Sequence, residues 1–302
     1  MHRRRAHALF AVLLTLVVSG CGLVPPAATP TPVPPTPTPV PPSPTPVPAA
    51  ARVNQDQITL AEFEAELRRF EAAQIEAGIE LASLGEYRQQ VLQALIDLEL
   101  LAQAAIASGG DLEPQAVSQE IDDLAQALGG SERMGAWLAA QGYDLDSFGR
   151  ALRRELLAQR TVERLAGHVD ETAEQVHARH LLVASLQEAE ALLAQIEAGA
   201  DLGELAVTES LDLSTRVGGG DLGWFPLGVL TQPSVEETAF ALAPGELSQV
   251  VESDLGYHLV EVLAREVRPL TANDLRRLRQ AAVEAWLAAE RQNAEIVILI
   301  EP

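Results

Sequence analysis

Apolar residues recur at helical spacing from residue 51 to about 170, and a second period takes over after that. Thr59 and Glu62 stand at capping-box separation, and Phe63, Leu67 and Phe70 behind them predict a first helix. Ser83 with Glu86 predicts a second, whose apolar face carries Tyr87, Val91, Leu95 and Leu98. Pro114 suits the first turn of a third, with Val117, Ile121, Leu124 and Leu128, and Gly129-Gly130 stops it. A short segment at 134–138 follows, and Phe148, Leu152 and Leu156 mark a further helix. Near the C-terminus, Thr271 with Asp274 opens a helix to about Gln292, carrying Leu275, Leu278, Val283 and Leu287. Residues 295–300 are then strongly β-branched, as a strand requires. A lone terminal strand needs a partner, and residues 52–58 read as a short strand or hairpin, so the two ends of the folded region are expected to meet. These positions, with Trp137 and Trp286, are read as core.

Residues 176–265 have another texture. Residues 181–183 read as a strand, 188–198 and 201–208 as helices, 218–225 as a glycine-rich turn, 235–242 as a helix, and 249–252 and 257–263 as strands. The expected architecture is α+β. A discontinuous all-helical domain (51–170, completed by a helix and strand at 268–302) is interrupted by an inserted α/β domain (171–267), a four-stranded antiparallel sheet flanked by helices. The glycine run is not a phosphate loop, because it lacks a following helix and a lysine and contains Asp221. His177 and His180 lie three apart, which on a strand puts them on opposite faces and argues against a metal pair.

The N-terminal 50 residues add an address. Arg3-Arg4-Arg5 precedes an apolar run at 8–18 that is too short to span a bilayer, so 1–20 reads as a signal peptide. Val18-Ser19-Gly20-Cys21 resembles the bacterial lipobox, which implies acylation of Cys21 and attachment to the membrane through lipid. The segment 21–50 then reads as a linker: 13 prolines fall among the 24 residues from 25 to 48, favouring an extended polyproline spacer. Cys21 is the only cysteine of the 302 residues, so neither an intramolecular disulfide nor a Cys/His metal site is expected. The chain has 21 basic residues, all arginine, against 43 acidic ones, a formal charge of −22. Such a surface repels phosphate backbones, which makes nucleic acid an unsuitable partner.

Four blocks within the insert resemble the parvulin family of peptidyl-prolyl isomerases, in the family's order over roughly ninety residues. They are Ala178-Arg179-His180-Leu181-Leu182-Val183, Gly219-Gly220-Asp221-Leu222-Gly223-Trp224-Phe225, Ala239-Phe240-Ala241-Leu242 with Pro244-Gly245-Glu246-Leu247-Ser248, and Gly256-Tyr257-His258-Leu259-Val260. The helical flanks and lipobox are similar to those of exported foldases of the PrsA and SurA type. The resemblance implies that His180 and His258 sit side by side behind a proline pocket. It also implies that Asp212 and Ser253 join their polar network, and that Leu222, Phe225, Leu230, Val235 and Phe240 line the pocket. Val235 departs from the aromatic residue common at its position, which removes contact area.

The activity implied is rotation about X–Pro bonds of unfolded or partly folded exported polypeptides, against a barrier of about 18–20 kcal/mol. That reaction requires no metal or cofactor. The alternative is a non-enzymatic, membrane-tethered holdase that keeps the parvulin shape as a peptide-binding module. The localisation implied is extracytoplasmic, anchored at Cys21.

Overall fold

The computed structural model describes residues 47–301. The expectations for the signal peptide, Cys21 and most of the proline-rich linker lie outside the described residues.

The chain enters through a hairpin, β1 (Ala49–Val53) and β2 (Asp56–Thr59), whose turn holds Asn54 at φ 55°, a conformation Asn tolerates. The Thr59 box forms at the start of α1 (Leu60–Glu76): the hydroxyl accepts from the Glu62 backbone, and the Glu62 carboxylate accepts from the Thr59 backbone. The Ser83 box does not form. Its hydroxyl donates instead to the Glu80 carbonyl, closing a 3₁₀ turn, and α2 (Tyr87–Ala107) starts after an N-cap at Glu86 that makes no side-chain bond. Local turn geometry thus outcompeted the cap. Three helices follow: α3 (Pro114–Leu128), ended by left-handed Gly129, then α4 (Ser131–Ala140) and α5 (Leu145–Ala166). Trp137 on α4 is not core. It is 36% exposed and meets Phe148 edge-on at 5.7 Å, because α4 is short and covers only one side of α5.

The insert comprises β3 (Thr172–Val183), α6 (Leu186–Glu197), α7 (Leu202–Glu209), β4 (Asp221–Pro226), α8 (Pro233–Ala241), β5 (Val251–Ser253) and β6 (Gly256–Pro269). The sheet order is β4-β3-β6-β5, antiparallel throughout. β3 is much longer than residues 181–183. It pairs with β6 from Thr172 opposite Pro269 to Val183 opposite Tyr257. Its first half carries Glu174, Gln175 and His177, and Arg179 follows, so its apolar content alone understated it. Even residues of β3 (Val176, Ala178) pack against Phe225, Val235 and Ala239, while odd ones (Leu181, Val183) pack against α6 and α7 through Ala189, Leu192, Leu202 and Ala206.

The chain then leaves through α9 (Ala272–Asn293) and β7 (Ile296–Ile298). β7 pairs antiparallel with β1, Ala51 opposite Ile298 and Val53 opposite Ile296, completing a three-stranded sheet. Leu287 of α9 enters the core formed by Ile58, Phe63, Val91, Ile96 and Leu100, and Arg291 pairs with Asp97 of α2 at 2.6–2.7 Å. The helical domain is therefore discontinuous in sequence and continuous in space.

Candidate functional site

The pocket face of the sheet is the one that carries Val176 and Ala178. Two steps beyond Ala178 on the same face comes His180; on the neighbouring strand His258 precedes Val260 and Val262. Both histidines are buried, 6% and 1% exposed. Their rings stack with centroids 5.4 Å apart and 17° between planes, Nδ1 to Nδ1 at 3.2 Å.

Two glycines make this placement possible. Gly220 accepts the His180 amide hydrogen through its carbonyl at 2.9 Å, and it sits at φ 78° so close to β3 that a β-carbon would overlap the His180 carbonyl oxygen. Gly256 plays the same part at the β5–β6 turn, against the Val183 carbonyl at φ 135°.

The histidines belong to one chain of hydrogen bonds. The Asp212 carboxylate lies 2.8 Å from His180 Nε2, and Thr215 Oγ1 donates to the same carboxylate oxygen at 2.6 Å. Ser253 Oγ lies 2.7 Å from His258 Nε2. Burial opposes the charged form of Asp212, but hydrogen bonds from Ser214, Thr215 and His180 outweigh it and hold the carboxyl well below the usual carboxylate range. An ionised Asp212 puts a proton on His180 Nε2. His180 Nδ1 then accepts from His258 Nδ1–H, and His258 Nε2 accepts from the Ser253 hydroxyl. Burial pushes His258 down to about 4, His180 beside it adding to the effect and Asp212 opposing it, so His258 is neutral in this chain.

The apolar positions divide into two layers. Phe225 and Val235 are each 3% exposed and form the packed floor, while Leu222, Leu230 and Phe240 are partly exposed above it. Phe225 meets Phe240 edge-on at 6.1 Å. Leu222 reaches this face because β4 bulges there: Ala178 faces Gly223 and Arg179 faces Asp221, which leaves Leu222 as the extra residue. Phe240 is held by Arg265, whose guanidinium donates to the Phe240 and Leu242 carbonyls at the end of α8.

Two participants escaped the sequence reading. Thr215 stands three residues after Asp212, a spacing typical of polar turns and therefore unremarked. Glu236 looks like a surface charge on α8 but is 6% exposed, and its carboxylate accepts from the amides of Gly228, Val229 and Leu230 at 2.8–2.9 Å. A concavity of about 860 Å³ lies in the helical domain, with Phe70, Val91, Leu95 and Leu98 among its apolar lining and Arg68 and Arg69 among its charged lining.

Residues 163–266 match the family model of the PPIC-type PPIase domain, and residues 41–162 match that of the SurA-like N-terminal domain. The foldase protein PrsA of Caldanaerobacter subterraneus is 35% identical over 139 residues, covering 45% of this chain and 43% of that protein. The foldase protein PrsA of Halalkalibacterium halodurans is 29% identical over 198 residues, covering 60% and 59%. The chain thus spans about half the length of the curated relatives it matches. A solved peptidylprolyl isomerase structure, PrsA of Bacillus anthracis, is similar at a TM-score of 0.45 and 22% identity, over 70% of this chain and 99% of that one.

Proposed function

We propose that this chain, which joins a SurA-like N-terminal domain to an inserted PPIC-type PPIase domain, is an extracytoplasmic peptidyl-prolyl cis-trans isomerase and foldase. The observation that carries the reading is the closed Ser253–His258–His180–Asp212 chain behind a partly open apolar wall. Planar imides owe part of their stability to a charge-separated resonance form that water favours. A site that grips the proline ring against Leu222, Leu230 and Phe240 and excludes water lowers the cost of losing that form. Every proton in the polar chain is committed to a neighbour, so the back wall is held in one arrangement, with its negative charge kept on Asp212 at one end. His180, Asp212, His258 and Ser253 act by shaping the pocket. Val235 serves as floor, buried beneath the residues that meet substrate.

The substrates are X–Pro bonds in unfolded or partly folded exported polypeptides. Exchange spectroscopy on a short X–Pro peptide tests this. Wild type should accelerate interconversion, and the His180→Ala/His258→Ala double variant should lose roughly 10²-fold or more of that rate. Undiminished acceleration in the variant would overturn the assignment.

A second reading, a holdase that retains unfolded segments without isomerising them, draws on the helical-domain concavity. Aggregation suppression by the full-length double-histidine variant measures it; complete loss of suppression excludes it. Attachment to the membrane through lipidated Cys21 is the finer part of the proposal and rests on the lipobox resemblance. Replacement of Cys21 by Ser should move the protein from the membrane to the soluble fraction.

A further inference from the structure

The segment 227–230 carries Leu230, one wall of the proposed pocket, and it is gripped from two sides. Glu236, in the insert, accepts three successive amides from it. From the opposite side comes α9, which belongs to the helical domain. Arg277 Nη1 donates to the Val229 carbonyl at 3.0 Å, and Leu278 packs into the cluster that contains Val229, Leu230, Leu222 and Phe240. The approach is tight: a β-carbon at Gly228 would stand 3.2 Å from a Leu278 methyl. α9 continues from there as a 22-residue helix, about 33 Å long, into the core of the other domain. Val283, Trp286 and Leu287 are seated in that core, and Arg291 is paired with Asp97. One rod therefore touches the pocket wall near its start and the helical core near its end.

We propose that Arg277 and Leu278 are positioning residues for the proline pocket, fixing Leu230 from outside the PPIase domain and tying its grip on substrate to the helical domain. The inference rests on the isomerase reading above. Neither residue touches the histidine chain, so its effect falls on ring binding and leaves the rate of the bound imide nearly intact.

The test is steady-state isomerisation of an X–Pro tetrapeptide by the full chain, with Arg277→Ala, Leu278→Ala, Arg277→Lys and the exposed control Arg276→Ala. Arg277→Ala and Leu278→Ala should each raise KM about five- to tenfold with kcat within about twofold of wild type. Arg277→Lys, still a donor to the Val229 carbonyl, should recover most of the loss, and the control should be unchanged. Unaltered KM in Arg277→Ala and Leu278→Ala, both folded by circular dichroism, overturns the proposal while leaving the isomerase reading intact. If Leu278→Ala fails to fold, Arg277→Ala decides. If wild type itself gives no acceleration, the isomerase reading falls separately. The Leu230 methyl resonances then decide positioning: a shift in Arg277→Ala supports it and unmoved resonances overturn it.

Discussion

His180 with Asp212 and His177 with Asp221 are two histidine–carboxylate pairs that begin three residues apart on β3, each closed at 2.8 Å. They face opposite sides of one sheet. On the pocket side the side chains are 8% and 22% exposed; on the other they are 27% and 50%. The outer pair has a stacking partner in Trp224, ring centroids 5.4 Å apart, and Arg268 lies over the same indole at 4.3 Å. Asp221 also accepts from the Gly223 amide, and it too is held below the usual carboxylate range although burial works against this. Local chemistry is thus nearly the same on the two faces. What differs is the continuation: the inner pair extends to His258 and Ser253 in a dry interior, whereas the outer pair opens to solvent. Burial and connectivity, more than the pairing itself, distinguish the inner pair from the outer one.

The largest expected contrast is in activity. Asp212→Ala removes the acceptor that fixes the His180 proton and should lower kcat/KM for an X–Pro peptide by roughly 10²-fold. Asp221→Ala should stay within about threefold; equal losses from both would erase the distinction. Stability comes next. Asp212→Ala leaves a buried imidazole N–H with only the longer contact to Thr215 Oγ1 at 3.2 Å and should cost about 1–3 kcal/mol in urea unfolding, against about 0.5 kcal/mol or less for Asp221→Ala.

A pH series sharpens the same point. His258 falls from 6.5 to about 4 on folding, so between those values the unfolded chain binds more protons than the native one. Its contribution to stability is therefore complete above pH 6.5 and is lost as pH falls toward 4. The urea midpoint should decline across that window, and His258→Asn should flatten the decline. Within the inner chain, a smaller effect than that of Asp212→Ala is expected at Thr215. Thr215→Val removes one of several donors to Asp212 and should cost about 0.5–1.5 kcal/mol, with kcat/KM reduced a few-fold.

His180 and His258 could be found in the chain because they lie inside the motif blocks, and Asp212 and Ser253 because the resemblance puts a carboxylate and a small hydroxyl residue near those blocks. The structure links Asp212 to His180, His180 to His258 and His258 to Ser253, each pair within hydrogen-bond reach. Thr215 was not legible, since a threonine among Ser, Asp and Leu in a turn has no pattern that distinguishes a bonded hydroxyl from a solvated one. Glu236 was hidden for the opposite reason: two adjacent glutamates on a helix suggest an exposed face, and only the approach of the 228–230 backbone gives one of them a buried role. Among the elements, the Thr59 cap was readable because both partners are local. The Ser83 cap failed because a competing local bond was equally available. The length of β3 depended on partners about ninety residues away, which local periodicity does not report.

The pairing of β1 with β7 also has a bearing on assembly. Asn54 and Glu295, bonded to each other at this seam, are 241 positions apart, and the last strand is synthesised after the whole insert. A chain delivered N-terminus first presents every strand of the inserted module before the helical domain has its closing piece. Once folded, that module brings Thr172 and Pro269 opposite each other at its base, so the chain that must be gathered to seat β7 is effectively much shorter. The insert then works as a clasp for its host, and a lesion that melts the clasp should loosen the terminal seam as well.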